Sequence, residues 1–294
     1  MDLELVNKIK RLAIIALASD DLLVETLVLK GGNAIDIAYH DHSKGVGYRT
    51  SYDLDFSIEN GDFKDQNMIS DRIEKTLNQT FLENNYILID YKFINKPKTI
   101  NDNIADFWGG YRVTFKIIQK EKYDKYEINI SKQRMAAIPI KPDNSPTFEL
   151  EFSKFEFIGE KAETHVDGFK IYLYTPEMIC FEKLRAICQQ LPLYKDVIQT
   201  HSSRGRARDF YDICLIMDKE NIVADSEENK QMLMHVFSAK KVPISFIKLI
   251  KENKSIHKED WENVKATVSA NEVLKEFDFY FDKVVNNFEN ITYP

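Results

Sequence analysis

The residues in this chain best placed to do chemistry are two aspartates, Asp53 and Asp55, in the run Tyr52-Asp-Leu-Asp-Phe-Ser-Ile58. Alternate side chains of an extended strand share a face, so both carboxylates point one way while Leu54 and Phe56 point into a core. Two carboxylates held side by side repel, and both stay ionised at neutral pH only with cationic compensation. A hard divalent ion such as Mg²⁺ supplies it and also takes phosphate oxygens. Upstream, the β-rich run Thr26–Lys30 ends in Gly31-Gly32, and Asn33 is placed to cap a short helix over 34–39. Glycine lets a backbone approach a ligand with no Cβ in the way, and amides at a helix start can hold a phosphate. Together these parts describe a site for a metal–nucleoside triphosphate.

Either part alone is ordinary: most Asp-x-Asp strands face water, and most Gly-Gly pairs are turns. The ordered set is far more specific. It runs strand, Gly-Gly, short helix, polar loop, then Arg49-Thr-Ser51-Tyr-Asp53-Leu-Asp55-Phe56. This set resembles the nucleotidyltransferase superfamily. More narrowly, Lys30-Gly31-Gly32 and the Arg49–Phe56 run resemble the AbiEii/AbiGii-type nucleotidyltransferase toxins of type IV toxin–antitoxin and phage-defence systems.

The resemblance implies Asp53 and Asp55 as metal ligands, with Mg²⁺ or Mn²⁺ as cofactor. It implies Lys30, Gly31, Gly32, Asn33, Arg49 and Ser51 as nucleotide-binding. Two metal ions clamping the attacking and leaving oxygens of a phosphoryl transfer want a third acid. Glu151, in Leu150-Glu151-Phe152, lies where the family carries an Asp-x-Ser strand; Glu149 and Glu127 are its rivals, and solvated strand faces are the plain alternative for all three. Farther on, Glu182-Lys183-Leu184 and Arg208-Asp209-Phe-Tyr-Asp212 resemble the family's downstream motifs. By that likeness Lys183 binds nucleotide phosphate and Asp209 has a catalytic or supporting role. Read without it, Glu182 and Lys183 are ordinary exposed helix charges.

Composition sets the frame. The chain has 294 residues, 44% hydrophobic and 12% aromatic, enough for a sizeable core, and a net charge of −7. Nothing global draws it to nucleic acid, so any RNA contact needs a local basic patch. Arg204, Arg206 and Arg208 with His201 form one candidate, and Lys240, Lys241, Lys248, Lys251 and Lys254 a second. No stretch approaches the ~20 apolar residues needed to span a bilayer. Cys180, Cys188 and Cys214 lack zinc spacing, which suits reduced thiols in a cytoplasmic protein. His40-x-His42 has no further clustered ligand and reads as a loop pair.

The elements that carry these residues follow from periodicity. Leu3–Ala18 and 65–84 read as amphipathic helices, with 86–94, 108–119, 147–157 and 170–174 as strands. The segment 120–133 is ambiguous between a hairpin and a short helix, and 159–169 reads as a loop. From Thr175, an N-cap followed by Pro176, the chain turns helical: a helix to about 191, then 206–217, 227–239, 243–251, 259–270 and 271–287. The expected fold is α+β: a nucleotidyltransferase-type mixed sheet domain with flanking helices over 1–174, then a helical bundle over 175–294. The implied activity is Mg²⁺-dependent transfer of NMP from an NTP to an RNA acceptor, the tRNA 3′ end, by a toxin whose separate antitoxin acts on its expression. A small-molecule or protein hydroxyl as acceptor is the alternative, and a non-catalytic nucleotide-binding protein a second. Which NTP is used has no short sequence code.

Overall fold

A computed structural model describes residues 3–38, 53–141, 143–266, 268 and 273–293. The chain opens with α1 (Leu3–Ala18), whose Val6, Ile9, Ala13 and Leu17 are buried along one stripe. Asp20 ends that helix and caps the next, α2 (Asp21–Thr26), accepting from the amides of Leu22 and Leu23. β1 (Leu27–Lys30) leads into α3 (Gly31–Ala38), and β2 (Leu54–Ile58) carries Asp55, with Asp53 one residue before its start. α4 (Gln66–Glu83) is capped by Asp65 and closed by Asn84. β3 (Tyr86–Lys96) and β4 (Gly110–Gln119) follow, then the short helices α5 (Lys120–Tyr126) and α6 (Ile130–Met135). β5 (Phe148–Ser153), β6 (Ala162–Val166) and β7 (Phe169–Leu173) complete a seven-stranded sheet of order β3-β4-β5-β2-β1-β7-β6.

The sheet is mixed. β1 pairs in parallel with β7 and β2 with β5; the other neighbours are antiparallel. One face packs under α1 and α4, where Ile69, Ile73, Leu77 and Phe81 of α4 are buried. Phe56 stacks on Phe152 (5.6 Å), and Phe115 lies 5.3 Å from Phe148. Burying each such side chain is worth about 1.5–3 kcal/mol. That face fixes β2 and β5 side by side, and so fixes which polar residues share the other face.

By compactness the described residues form two units: residues 3–33, 53–155 and 161–173 make up the sheet unit, and 34–38, 156–160 and those from 174 on the helical unit. In the helical unit Thr175 caps α7 (Pro176–Cys188) by accepting from the Met178 amide. A 3₁₀ turn (Pro192–Asp196) and α8 (Ala207–Glu220) follow, then α9 (Glu227–Ser238) and a 3₁₀ segment (Ile244–Asn253). α10 (Lys254–Lys258), α11 (Trp261–Lys265) and α12 (Phe277–Phe288) end the chain. α8 packs between α7 and α12, with Phe210 stacked on Phe281 at 5.1 Å. The α+β class expected from the sequence is the class observed.

Several local expectations are corrected. The segment read as a loop over 159–169 contains β6, which turns into β7 through Asp167-Gly168, both at positive φ (49° and 85°). An Asp-Gly pair with both φ positive makes a tight hairpin turn. Its strand was hidden because β6 is an edge strand of Glu163, Thr164 and His165, with little apolar alternation. The ambiguous segment 120–133 forms two short helices. The helix expected over 243–251 is a 3₁₀ segment, those expected over 259–270 and 271–287 are shorter, and Asn33 lies inside α3 rather than capping it.

Candidate active site

Gly31, at the start of α3, has φ +69°, in the left-handed region that costs an L side chain about 1–2 kcal/mol. A Cβ built on it would sit 3.2 Å from Asp55 Oδ2. The glycine therefore lets the turn form and lets the helix start lie against the acid. Asn33, two residues on, donates from Nδ2 to the Asp53 carbonyl (2.7 Å) and accepts at Oδ1 from Lys10 (3.0 Å). That pair of bonds ties α1, α3 and the acidic strand together. Lys30 is buried, with its backbone paired to Asp55 across the β1–β2 ladder, so the reading of a strand-end lysine in water does not hold. Gly32 lies in the first turn of α3.

Parallel pairing sets Asp55 directly beside Glu151 and Leu54 beside Leu150. Of the three candidate third acids, Glu151 is thus level with Asp55, and the same register carries Glu149 level with Asp53. Glu149 is two residues earlier on the same face of β5. Glu127 stands at the end of α5, exposed and outside the sheet.

The acids are interleaved with cations that sequence reasoning missed. Lys141 lies 3.3 Å from Asp53 Oδ1 and 2.7 Å from Glu149 Oε1. Arg112, opposite Glu151 on β4, reaches Glu149 (3.2 Å) and Glu151 (2.9 Å), and Lys96 pairs with Glu151. Burial pushes the Asp53 carboxyl above its ordinary value, and neighbouring Glu149 and Glu151 add to this against the pull of Lys141. Burial also raises Glu151, but Lys96 and Arg112 outweigh it and hold that carboxyl low. Burial would lower Lys141; Glu149 and Asp53 reverse this and keep its ammonium charged.

These donors fit a hard divalent ion. Among the described residues no three His, Cys, Asp or Glu side chains close into a metal cage. The arrangement is an open acid pair, and magnesium is commonly held by one or two carboxylates plus substrate phosphates. Asp53, with a 45% exposed side chain, leaves room for such a ligand. Arg49 and Ser51, expected to bind nucleotide, and His40 and His42 lie outside the described residues.

The helical unit holds a second, buried cluster. Lys183 on α7 donates to Asp209 (3.1 Å) and Asp212 (2.7 Å), both on α8. Arg206, just before α8, pairs with Asp209 at 2.6 Å, and its amide donates to His257 Nδ1 at 3.2 Å. All four side chains of Lys183, Asp209, Asp212 and His257 are buried or nearly so. Burial pushes Asp209 up, but Lys183 and Arg206 outweigh it and hold the carboxyl far below the usual range. Burial pushes His257 down to about 4, so it is neutral at pH 7, with its proton on Nε2. Lys183 is therefore not an ordinary exposed helix charge. Asp212 closes the Arg208–Asp212 run that carries the family resemblance, though the sequence assigned it no role, and His257 gave no sequence signal.

Several cations of the two basic stretches named as RNA-contact candidates are paired with acids, Arg206 among them. Lys240 is buried beside Glu156 (3.5 Å), which also takes Arg185 (2.6 Å). Lys251 pairs with Glu289, and Lys254 with Asp278 and Asp282. The three cysteines are free and buried. Among the described residues no helix is long and apolar enough to cross a membrane.

Comparison with curated proteins gave no match. Among solved structures, JHP933 from Helicobacter pylori is similar at 19% identity and TM-score 0.49, over 96% of this chain and 90% of that one. An antigenic nucleotidyltransferase-like protein from Paracoccidioides brasiliensis is similar at 16% identity and TM-score 0.35, over 80% of this chain and 92% of that one. The family model for the nucleotidyl transferase AbiEii toxin of type IV toxin–antitoxin systems matches residues 14–283. With nearly its whole length matched, this chain belongs to the AbiEii family of nucleotidyltransferase toxins.

Proposed function

We propose that the chain transfers a nucleoside monophosphate from an NTP to an RNA acceptor, the tRNA 3′ end, with Asp53 and Asp55 at the centre of the reaction. The observation that carries this is the contact of the Gly31 helix start with the Asp55 carboxylate, with Glu151 in register beside it. Asp53 and Asp55 would hold Mg²⁺ or Mn²⁺, which when bound stabilises the charge that develops on phosphate oxygens. Gly31, Gly32 and Asn33 present the start of α3 to phosphate, and the bonds of Asn33 keep that turn rigid. Glu151 belongs to the same acid set. Lys30, Arg49 and Ser51 orient the acids and the triphosphate. In the helical unit Lys183 takes nucleotide phosphate, and Asp209, with Asp212 and Arg206, fixes its amine in place. The protein works in the cytoplasm, against an antitoxin encoded separately.

The test offers each α-labelled NTP in turn, with total tRNA or with small-molecule alcohols and amines as acceptors. Label on tRNA from one preferred NTP supports the reading. Label only on small molecules or on protein moves the acceptor and keeps the transfer; label nowhere, with folded protein and Mg²⁺ or Mn²⁺ present, refutes it.

A further inference from the structure

We propose that Lys141 is a resident counter-ion for Asp53, one that makes divalent-cation binding at the acid pair conditional on a bound triphosphate. The inference rests on reading Asp53 and Asp55 as a metal-holding pair. The Lys141 ammonium lies 3.3 Å from Asp53 Oδ1 and 2.7 Å from Glu149 Oε1, so a positive charge already stands where a metal would draw on Asp53. A dication entering alone must compete with it. A triphosphate changes the balance, because it brings anionic oxygens that can receive the ammonium.

Two features make that exchange feasible. The first is anchoring. Lys141 sits in a turn in which the Ile140 and Lys141 amides donate to the Ser145 carbonyl and the Asn144 amide donates to the Lys141 carbonyl. The backbone is held while the flexible four-carbon stem can swing. The second is charge cover. Glu149 also has Arg112 at 3.2 Å, and Glu151 has both Arg112 and Lys96. Lys141 can leave without stranding a buried carboxylate, which would otherwise oppose the exchange. Glu149 and Glu151 keep cations when Lys141 leaves, and Asp53, released from the Lys141 ammonium, is the acid that then takes the metal. The lysine thereby links nucleotide and metal occupancy, as a coupling between two ligands must be reciprocal.

The test measures Mn²⁺ affinity of the full chain by electron paramagnetic resonance, with and without an NTP analogue whose α–β bridge is a methylene. Wild type is expected to bind Mn²⁺ weakly alone and more tightly with the analogue. Lys141→Met, which keeps the stem and removes the charge, is expected to bind Mn²⁺ alone on the order of tenfold more tightly and to gain less from the analogue. Lys141→Gln carries the same expectation, should the methionine variant fold poorly, and Lys141→Arg should stay close to wild type. Unchanged or weaker Mn²⁺ affinity in the folded neutral variants overturns the proposal. Asp53→Asn separates the two layers: if it binds Mn²⁺ as wild type does, the acid-pair reading fails, whatever Lys141 does.

Discussion

Replacing Gly31 by alanine separates stability from chemistry. At φ +69° an alanine is strained by about 1–2 kcal/mol. For a chain of this size each kcal/mol lowers Tm by about 2–4 °C. The new Cβ also stands 3.2 Å from Asp55 Oδ2, so the carboxylate must yield by a few tenths of an ångström. Metal–ligand distances are held to about 0.2 Å, so a shift of that size acts on ligand geometry more than on stability. Turnover should fall by roughly ten- to a hundredfold, since misplacing reacting groups by about 1 Å costs 10². Gly168→Ala is the matched control. Its φ is +85°, and a Cβ there meets nothing within 4 Å. Both variants should melt a few degrees below wild type, and only Gly31→Ala should lose label transfer from an α-labelled NTP. Wild-type turnover by Gly31→Ala, or equal losses in both, would refute the argument that Gly31 exists for the Asp55 carboxylate.

The other predictions concern charge. Glu151→Gln keeps shape and loses charge; with partly exposed partners it should cost about 1 kcal/mol in denaturant unfolding, yet lower transfer about tenfold, whereas full activity would reduce Glu151 to an ion-pair partner. Lys183→Met removes the cation that Asp209 and Asp212 share, leaving Arg206 on Asp209, and should cost about 3 kcal/mol or more, with partial recovery in Lys183→Met/Asp212→Asn; a loss below about 0.5 kcal/mol would show the cluster is not coupled. His257 has its folded pKa depressed from 6.5 to about 4, so the unfolded chain binds its proton first. The stability it contributes is present above about pH 6.5 and is lost as pH falls toward 4, about 3 kcal/mol in all. Urea unfolding across that window should be flatter for His257→Gln than for wild type, and equal slopes would contradict the neutral buried histidine.

Caps and strand alternation, which are local, were mostly legible in the sequence. Asp65 and Asn84 bracket α4 because caps are read within a few residues, and the alternation of Phe148, Leu150 and Phe152 marked β5 because the pleat has period two. Asp53 and Asp55 stood out because their neighbours Leu54 and Phe56 are apolar and buried. What escaped depends on register between distant strands. Nothing near Lys141, Arg112 or Lys96 says that each pairs with Asp53, Glu149 or Glu151; only the order β3-β4-β5-β2 sets them together. Asn33 looked like a cap because Asn favours that role, yet its amide bridges Lys10 and the Asp53 carbonyl across three elements. The Asp167-Gly168 turn was readable and was missed because its edge strand has a polar sequence.

The account turns on the Asp55 carboxylate taking part in nucleotidyl transfer. The direct measurement is label transfer from the preferred α-labelled NTP to tRNA by wild type and by Asp55→Asn, each shown to be folded by its melting transition. Steady transfer by wild type is expected, with a loss of about 10²–10³ in the variant, the scale set by losing a charge-stabilising group at the reacting phosphate. Transfer by a folded Asp55→Asn at the wild-type rate would contradict it.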